Sequence, residues 1–191
     1  GKVGMKQGVS FIGIALLYVC TGQAGAETRA SNTAEKIEQL LKTSDQIKEV
    51  AKKYVGATGM LFFGRQLNFP IALEAALKVK EITYLYAEGH PSAELKHGII
   101  ALVKPELPSV FIAPDDAVFS KNLNNIEQVR ARKGPIITVT TESGASKLKG
   151  IADDLIIVPE ANDVVMPVLT VIPMQLLAYH AAVFMGTDVD Q

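Results

Sequence analysis

The sequence predicts an α/β fold, a three-layer αβα sandwich built on a mostly parallel, doubly wound sheet. Three observations carry this expectation. Short runs such as Met60-Leu61-Phe62-Phe63 and Val110-Phe111-Ile112-Ala113 lack the polar alternation of a half-exposed strand, as strands buried on both faces do. A segment with helical periodicity follows each such run, so strand and helix alternate in βαβ order. Gly64, Pro114 and Pro159 stop the strands where a turn has to begin.

The elements are read in order. Lys2 and Lys6 precede an apolar run over 9–20, followed by T-G-Q-A-G-A. That pattern fits either a secretory signal or a buried helix of a neighbouring domain, the run being short for a membrane span. Residues 24–33 are small and polar and read as a linker ending in a helix cap at Asn32 or Thr33. A helix is predicted over 34–54, with Ile37, Leu40, Leu41, Ile47, Val50 and Ala51 near one face and Glu35, Lys36, Glu38, Lys42 and Lys48 on the other. The first strand, 60–63, turns at Gly64-Arg65, and Pro70 opens a long helix over 71–87. A second strand covers 109–113. Asp115 and Asp116 cap the next helix, which runs to about residue 132. A third strand at 136–140, a short helix at 143–151, a fourth strand at 155–158 and a final apolar helix at 166–185 complete the chain. Open parallel sheets of this kind bind ligands at the carboxyl ends of their strands.

Composition narrows the function. With 191 residues, 48% hydrophobic and 20% charged, the chain can fill the core of one domain plus an N-terminal appendage. A net charge of -1 gives no field to gather nucleic acid or an anionic membrane. The single cysteine, Cys20, rules out an intrachain disulfide or a thiolate cluster. His90, His97 and His180 have no zinc-enzyme spacing. Neither a dinucleotide fingerprint nor a Walker pattern occurs, and no metal or cofactor is expected.

Two groups of residues can carry chemistry. Glu74, Lys78 and Glu81 stand at i, i+4 and i+7 on the predicted helix, within a narrow arc of one face. A carboxylate at Glu81 can move a proton between two sugar carbons, with Lys78 orienting it or holding its charge. The same spacing also makes a plain surface ion pair. The second group is Glu94-Leu95-Lys96-His97-Gly98, where His97 can exchange a proton with a sugar ring oxygen or simply cap a turn. Gly64-Arg65 is too short to be a phosphate loop, and the hydroxyls of Thr140, Thr141 and Ser143 fit helix capping equally well.

These residues lie in a longer pattern. F-F-G-R, P-I-A-L-E-A-A-L-K-V-K-E-I-T-Y, A-E-L-K-H-G, V-R-A-R, Q-L-L-A-Y-H and G-T-D-V-D-Q together resemble the second sugar-isomerase (SIS) repeat of glutamine:fructose-6-phosphate amidotransferases. The match runs from about residue 36 to the end, and M-K-Q-G-V-S-F-I-G-I-A-L-L-Y is similar to the helix closing that family's first repeat. The resemblance implies a boundary, with residues 1–33 as that closing helix plus linker and 34–191 as the second SIS domain without its C-terminal tail. It implies a cytoplasmic homodimer that handles fructose 6-phosphate and glucosamine 6-phosphate, with no nucleic acid or membrane as partner. Glu81 would be the base working between C1 and C2, Lys78 and Glu74 its supports, and His97 the ring-opening group donated by the other subunit.

Departures from the family limit what the chain can do alone. The Ser/Thr-rich phosphate cradle belongs to the first repeat. Here A-P-D-D-A-V-F-S-K stands instead, and Asp115 and Asp116 would repel phosphate. The glutaminase domain, and a tail lysine that reaches the sugar, do not occur in these 191 residues, and His90 lies outside the carried pattern. The fragment is expected to make no glucosamine 6-phosphate by itself. Two rival readings remain open: a stand-alone sugar-phosphate isomerase or deglycase, and a non-catalytic sugar-phosphate-binding module. The paired acid and base on one helix face disfavour the second of these.

Overall fold

The computed structural model describes residues 26–189. The apolar run at 9–20, Cys20 and most of the expected closing helix lie outside the described residues. Two helices, α1 (Ala26–Leu41) and α2 (Ser44–Lys53), lead into strand β1 (Gly59–Gly64). There follow α3 (Asn68–Thr83), β2 (Tyr86–Pro91), β3 (Ser109–Ile112), α4 (Phe119–Ala131), β4 (Ile136–Thr140), α5 (Glu142–Leu148), β5 (Asp154–Ile157) and α6 (Met166–Met185). The strands form one sheet of order β2-β1-β3-β4-β5, and every pairing is parallel. The three-layer α/β expectation is met.

Strand side chains alternate between two cores, which is why the sequence shows no polar alternation. Met60 and Phe62 of β1, Val110 and Ile112 of β3, and Ile137 and Val139 of β4 face one cluster. Leu61, Phe63, Phe111 and Ile136 face the other. The first is closed by α2, α3 and α6 through Ile47, Ala72, Ala76, Val79, Leu177 and Ala181. The second is closed by Ile126 and Val129 of α4, Leu148 of α5 and the connection carrying Leu95, Val103 and Leu107. Phe63 and Phe111 stack with ring centroids 4.8 Å apart. Burying one such side chain is worth about 1.5–3 kcal/mol.

Several elements differ from the sequence expectation. The stretch read as a linker is helical from Ala26 onward, and no cap forms at Asn32 or Thr33. Alanines at 26, 30 and 34, with no Gly or Pro up to Leu41, sustain the helix through polar residues. The single helix expected over 34–54 breaks at Lys42-Thr43, where the Thr43 hydroxyl donates to Leu40 O at 2.7 Å. The helix expected to reach residue 87 ends at Thr83. There the Thr83 hydroxyl donates to Val79 O (2.6 Å) and Tyr84 turns left-handed with φ 59°. Residues 86–91 are instead an unforeseen fifth strand, β2, at the sheet edge.

Asp116 does not cap α4 itself. Its carboxylate accepts from Val118 N (2.9 Å) in the turn before, and α4 starts at Phe119. Helix α6 has the predicted bounds. It is long and apolar enough to cross a membrane, yet half of that stretch is buried in the fold.

Candidate functional site

Helix α3 carries the acid-base stripe, and its seating explains the stripe's exposure. Ala72, Ala75, Ala76 and Val79 face the core and let the helix lie close to the sheet. Gly89 of β2 is the point of contact: a Cβ there would stand 2.7 Å from Ala72 O and 2.8 Å from Leu73 Cα. Hydrogen bonds tie the start of α3 to α6 and its finish to the segment just after α6. Near its start the Thr170 hydroxyl donates to Asn68 Oδ1 (3.0 Å), and at its finish the Thr187 hydroxyl donates to Ile82 O (2.6 Å). The second bond satisfies a carbonyl that a helix C-terminus leaves without a partner.

On the opposite face Lys78 Nζ sits between the two carboxylates, 2.8 Å from Glu81 Oε2 and 3.8 Å from Glu74 Oε1. The side chains of Glu74 and Lys78 are 24% and 30% exposed, and that of Glu81 47%. Leu73 and Leu77 emerge beside them, each more than two-fifths exposed. The stripe is thus an open wall, flanked by apolar side chains, with Glu81 reachable by a ligand. The ammonium ties the two carboxylates into one stripe and orients Glu81.

His97 lies elsewhere. Strand β2 runs from Tyr86, beside the end of α3, to Pro91 at the carboxyl edge of the sheet. Six residues at about 3.3 Å each span about 20 Å. Glu81 lies in the last turn of α3, before that strand begins, and His97 lies on the turn after it ends. His97 is exposed on a turn, and its Nδ1 lies 2.7 Å from Glu94 Oε2. His90, in β2, has its Nε2 3.1 Å from Glu88 Oε2 and its ring against that of Phe63.

The chain reverses its direction of travel across the sheet between β1 and β3, and a cleft opens at their carboxyl ends, where such folds place ligands. Arg65, Asn68, Asp115, Asp116, Glu160 and Asp163 line it; none of Glu74, Lys78, Glu81 or His97 does. Sequence reasoning did not bring Glu160 and Asp163 to this place, because only the path of the chain after β5 does so. Lys147 grips Asp115 through both carboxylate oxygens (2.6 and 2.8 Å) and holds its carboxyl below the usual range. Burial pushes Asp116 above the usual range, with the charge of Asp163 adding to it. The hydroxyls after β4 are also taken: Thr141 Oγ1 accepts from Asp115 N (3.2 Å), and Ser143 donates to Glu160 (2.8 Å). Asp115, Asp116, Glu160 and Asp163 outnumber Arg65 among the charged residues lining the cleft, which leaves it poorly suited to a phosphate. Among the described residues, no group of three His, Cys, Asp or Glu side chains is arranged to hold a metal ion.

Comparison with known proteins agrees with this architecture. Residues 54–185 match the SIS domain family. A glutamine--fructose-6-phosphate aminotransferase (isomerizing) of Aquifex aeolicus is 49% identical over 155 residues, covering 81% of this chain and 26% of that protein. One from Mesorhizobium japonicum is 42% identical over 180 residues, covering 94% of this chain and 30% of its own length. The solved C-terminal domain of glucosamine-fructose-6-phosphate aminotransferase from Francisella tularensis superposes with a TM-score of 0.81 at 37% identity, over 86% of this chain and 46% of that one. The chain thus spans between a quarter and a third of the curated relatives, and about half of the solved domain. The family match over residues 54–185 and these relatives show that the chain belongs to the SIS domain family.

Proposed function

We propose that the chain is the second sugar-isomerase repeat of a glutamine:fructose-6-phosphate aminotransferase, the part that interconverts ketose and aldose forms on the way to glucosamine 6-phosphate. The observation that carries this reading is Lys78 held between Glu81 and Glu74 on an open face of α3. In the reaction, the Glu81 carboxylate removes a proton from C1 of the open-chain sugar, and the electron pair forms a C1=C2 double bond. Glu81 then returns the proton to C2, while a hydroxyl proton passes from O1 to O2 as the carbonyl re-forms at C1. Lys78 orients Glu81 through their 2.8 Å contact, and Glu74 stands on the other side of Lys78.

The geometry favours a composite site in a homodimer. Strand β2 lies between Glu81 and His97 along the chain, and His97 acts on a sugar bound at the stripe of the other subunit. Exposed Leu73, Leu77 and Tyr84 offer apolar surface for the adjoining repeat or subunit. The phosphate is held outside this chain, since the chain's own cleft is acidic. Residues 1–33 close a preceding SIS repeat and lead into the domain at 34–191; the 180-residue match to the Mesorhizobium protein supports this by extending into the first 25 residues. The reading places the protein in the cytoplasm with sugar phosphates as ligands and neither nucleic acid nor membrane as partner.

The test is Glu81→Gln in the complete enzyme, with glutamine hydrolysis and glucosamine 6-phosphate formation followed separately. Loss of a positioned base costs about 10²–10⁴-fold, so sugar isomerisation should fall by that much while glutamine hydrolysis stays. A variant keeping more than about a tenth of the isomerisation rate would refute the assignment of Glu81.

A further inference from the structure

We infer that Glu94 is a positioning residue that fixes the tautomer of His97, leaving the Nε2 nitrogen bare to work on the sugar ring; this rests on the reading of His97 as the ring-opening group. The turn bearing both residues is held by the fold. Leu95, between them, is fully buried, and so is Ser92, whose carbonyl accepts from the Asn125 side chain of α4. Within the turn His97 N donates to Glu94 O at 2.9 Å, and Ile100 N donates to Leu95 O at 2.8 Å. Side chain and main chain therefore join the same two residues, and the imidazole has a set direction.

The chemistry follows from the inventory of donors. A carboxylate only accepts, so the 2.7 Å contact between Glu94 Oε2 and His97 Nδ1 requires the hydrogen to sit on Nδ1. A neutral ring carrying that hydrogen has its lone pair on Nε2. Histidine free in water favours the opposite arrangement, so Glu94 inverts the preference. With Nε2 bare, the anomeric hydroxyl gives its proton to that nitrogen as its O–H electron pair forms the carbonyl. The ring C–O bond breaks toward the ring oxygen, which takes the proton back from Nε2. No proton is gained or lost overall. With the hydrogen on Nε2 instead, the ring has no lone pair facing the sugar and the cycle cannot start.

The test has a spectroscopic arm and a kinetic arm. In this 191-residue chain, nitrogen-15 NMR of the imidazole, above the pH where histidine titrates, should show His97 with its hydrogen on Nδ1. Glu94→Ala should revert it to the ordinary tautomer, and Glu94→Gln, which keeps a carbonyl acceptor, should largely preserve it. In the complete enzyme Glu94→Ala should slow turnover of the closed-ring substrate about tenfold, well short of the ~10⁴ lost at a buried orienting carboxylate. KM should stay near wild type, and Glu94→Gln should recover most of the rate. Unchanged His97 nitrogen signals in Glu94→Ala would overturn the inference. So would a reverted tautomer with undiminished turnover in an enzyme that His97→Ala inactivates. If His97→Ala itself leaves turnover of the closed-ring substrate intact, the ring-opening role fails instead, whatever the tautomer.

Discussion

Replacing Gly89 with alanine should loosen the contact that sets the position of the acid-base helix. Gly89 lies in β2 opposite Phe62, and α3 passes over it. The added Cβ would stand 2.7 Å from Ala72 O, 2.8 Å from Ala72 C and 2.8 Å from Leu73 Cα. All three are backbone atoms, so no side chain can swing aside. Ordinary contact needs 3.4–4 Å, so strand or helix must retreat by roughly 0.7–1.3 Å, which a packed core resists. The clamps at Asn68-Thr170 and Thr187-Ile82 hold α3 against that movement. Overpacking of this kind costs about 2–3 kcal/mol, or a fall in Tm of about 5–10 °C for a chain of this size. Urea unfolding followed by circular dichroism should show a lower midpoint with an unchanged slope. Gly56→Ala is the control, having nothing within 4 Å of the new Cβ, and should stay within about 0.5 kcal/mol of wild type. If Gly89→Ala unfolds at the same midpoint as that control, the argument from close approach is wrong.

Other perturbations probe separate parts of the fold. Asp154 accepts from the Tyr54 hydroxyl (2.8 Å) and pairs with Lys53, so Asp154→Ala should cost about 1 kcal/mol by leaving the half-buried tyrosine hydroxyl without its acceptor. Burial, with Asp154 adding to it, raises Tyr54 well above its usual 10.0. The native state thus favours the neutral phenol, and this contribution is full below pH 10 and is lost as pH rises beyond it; Tyr54→Phe should flatten that alkaline loss in urea midpoints. Burial, ahead of the charge of Lys48, holds His180 below its usual 6.5. Its contribution is present above pH 6.5 and is lost as pH falls toward the lower native value, a decline His180→Asn should remove from a stability profile between pH 7 and 5. Millimolar glucosamine 6-phosphate should raise the Tm of a protein carrying both repeats and leave this chain unmoved; equal stabilisation of this chain would overturn the view that its acidic cleft excludes phosphate.

The sequence alone determined the class of fold, because burial on both faces writes itself locally. The runs at β1 and β3 are almost wholly apolar, β4 adds only buried threonines, and α6 is apolar for most of its length, so the three strands and the helix fall where the pattern puts them. The 3.6-residue period likewise put Glu74, Lys78 and Glu81 on one arc, and the salt bridges confirm the arc. Edge strand β2 escaped notice because Tyr86, Glu88 and His90 show too weak a pattern to compete with the strong helix before it. The end of α3 was set by a Thr83 hydroxyl and a left-handed Tyr84, neither of which has a period to detect. Only the tertiary structure decided that a strand separates the helix of Glu81 from the turn of His97, that Gly89 seats α3, and that Lys147 reaches across from α5 to pair with Asp115. Such relations depend on how the chain travels between elements, and adjacency in space carries no signature along the sequence.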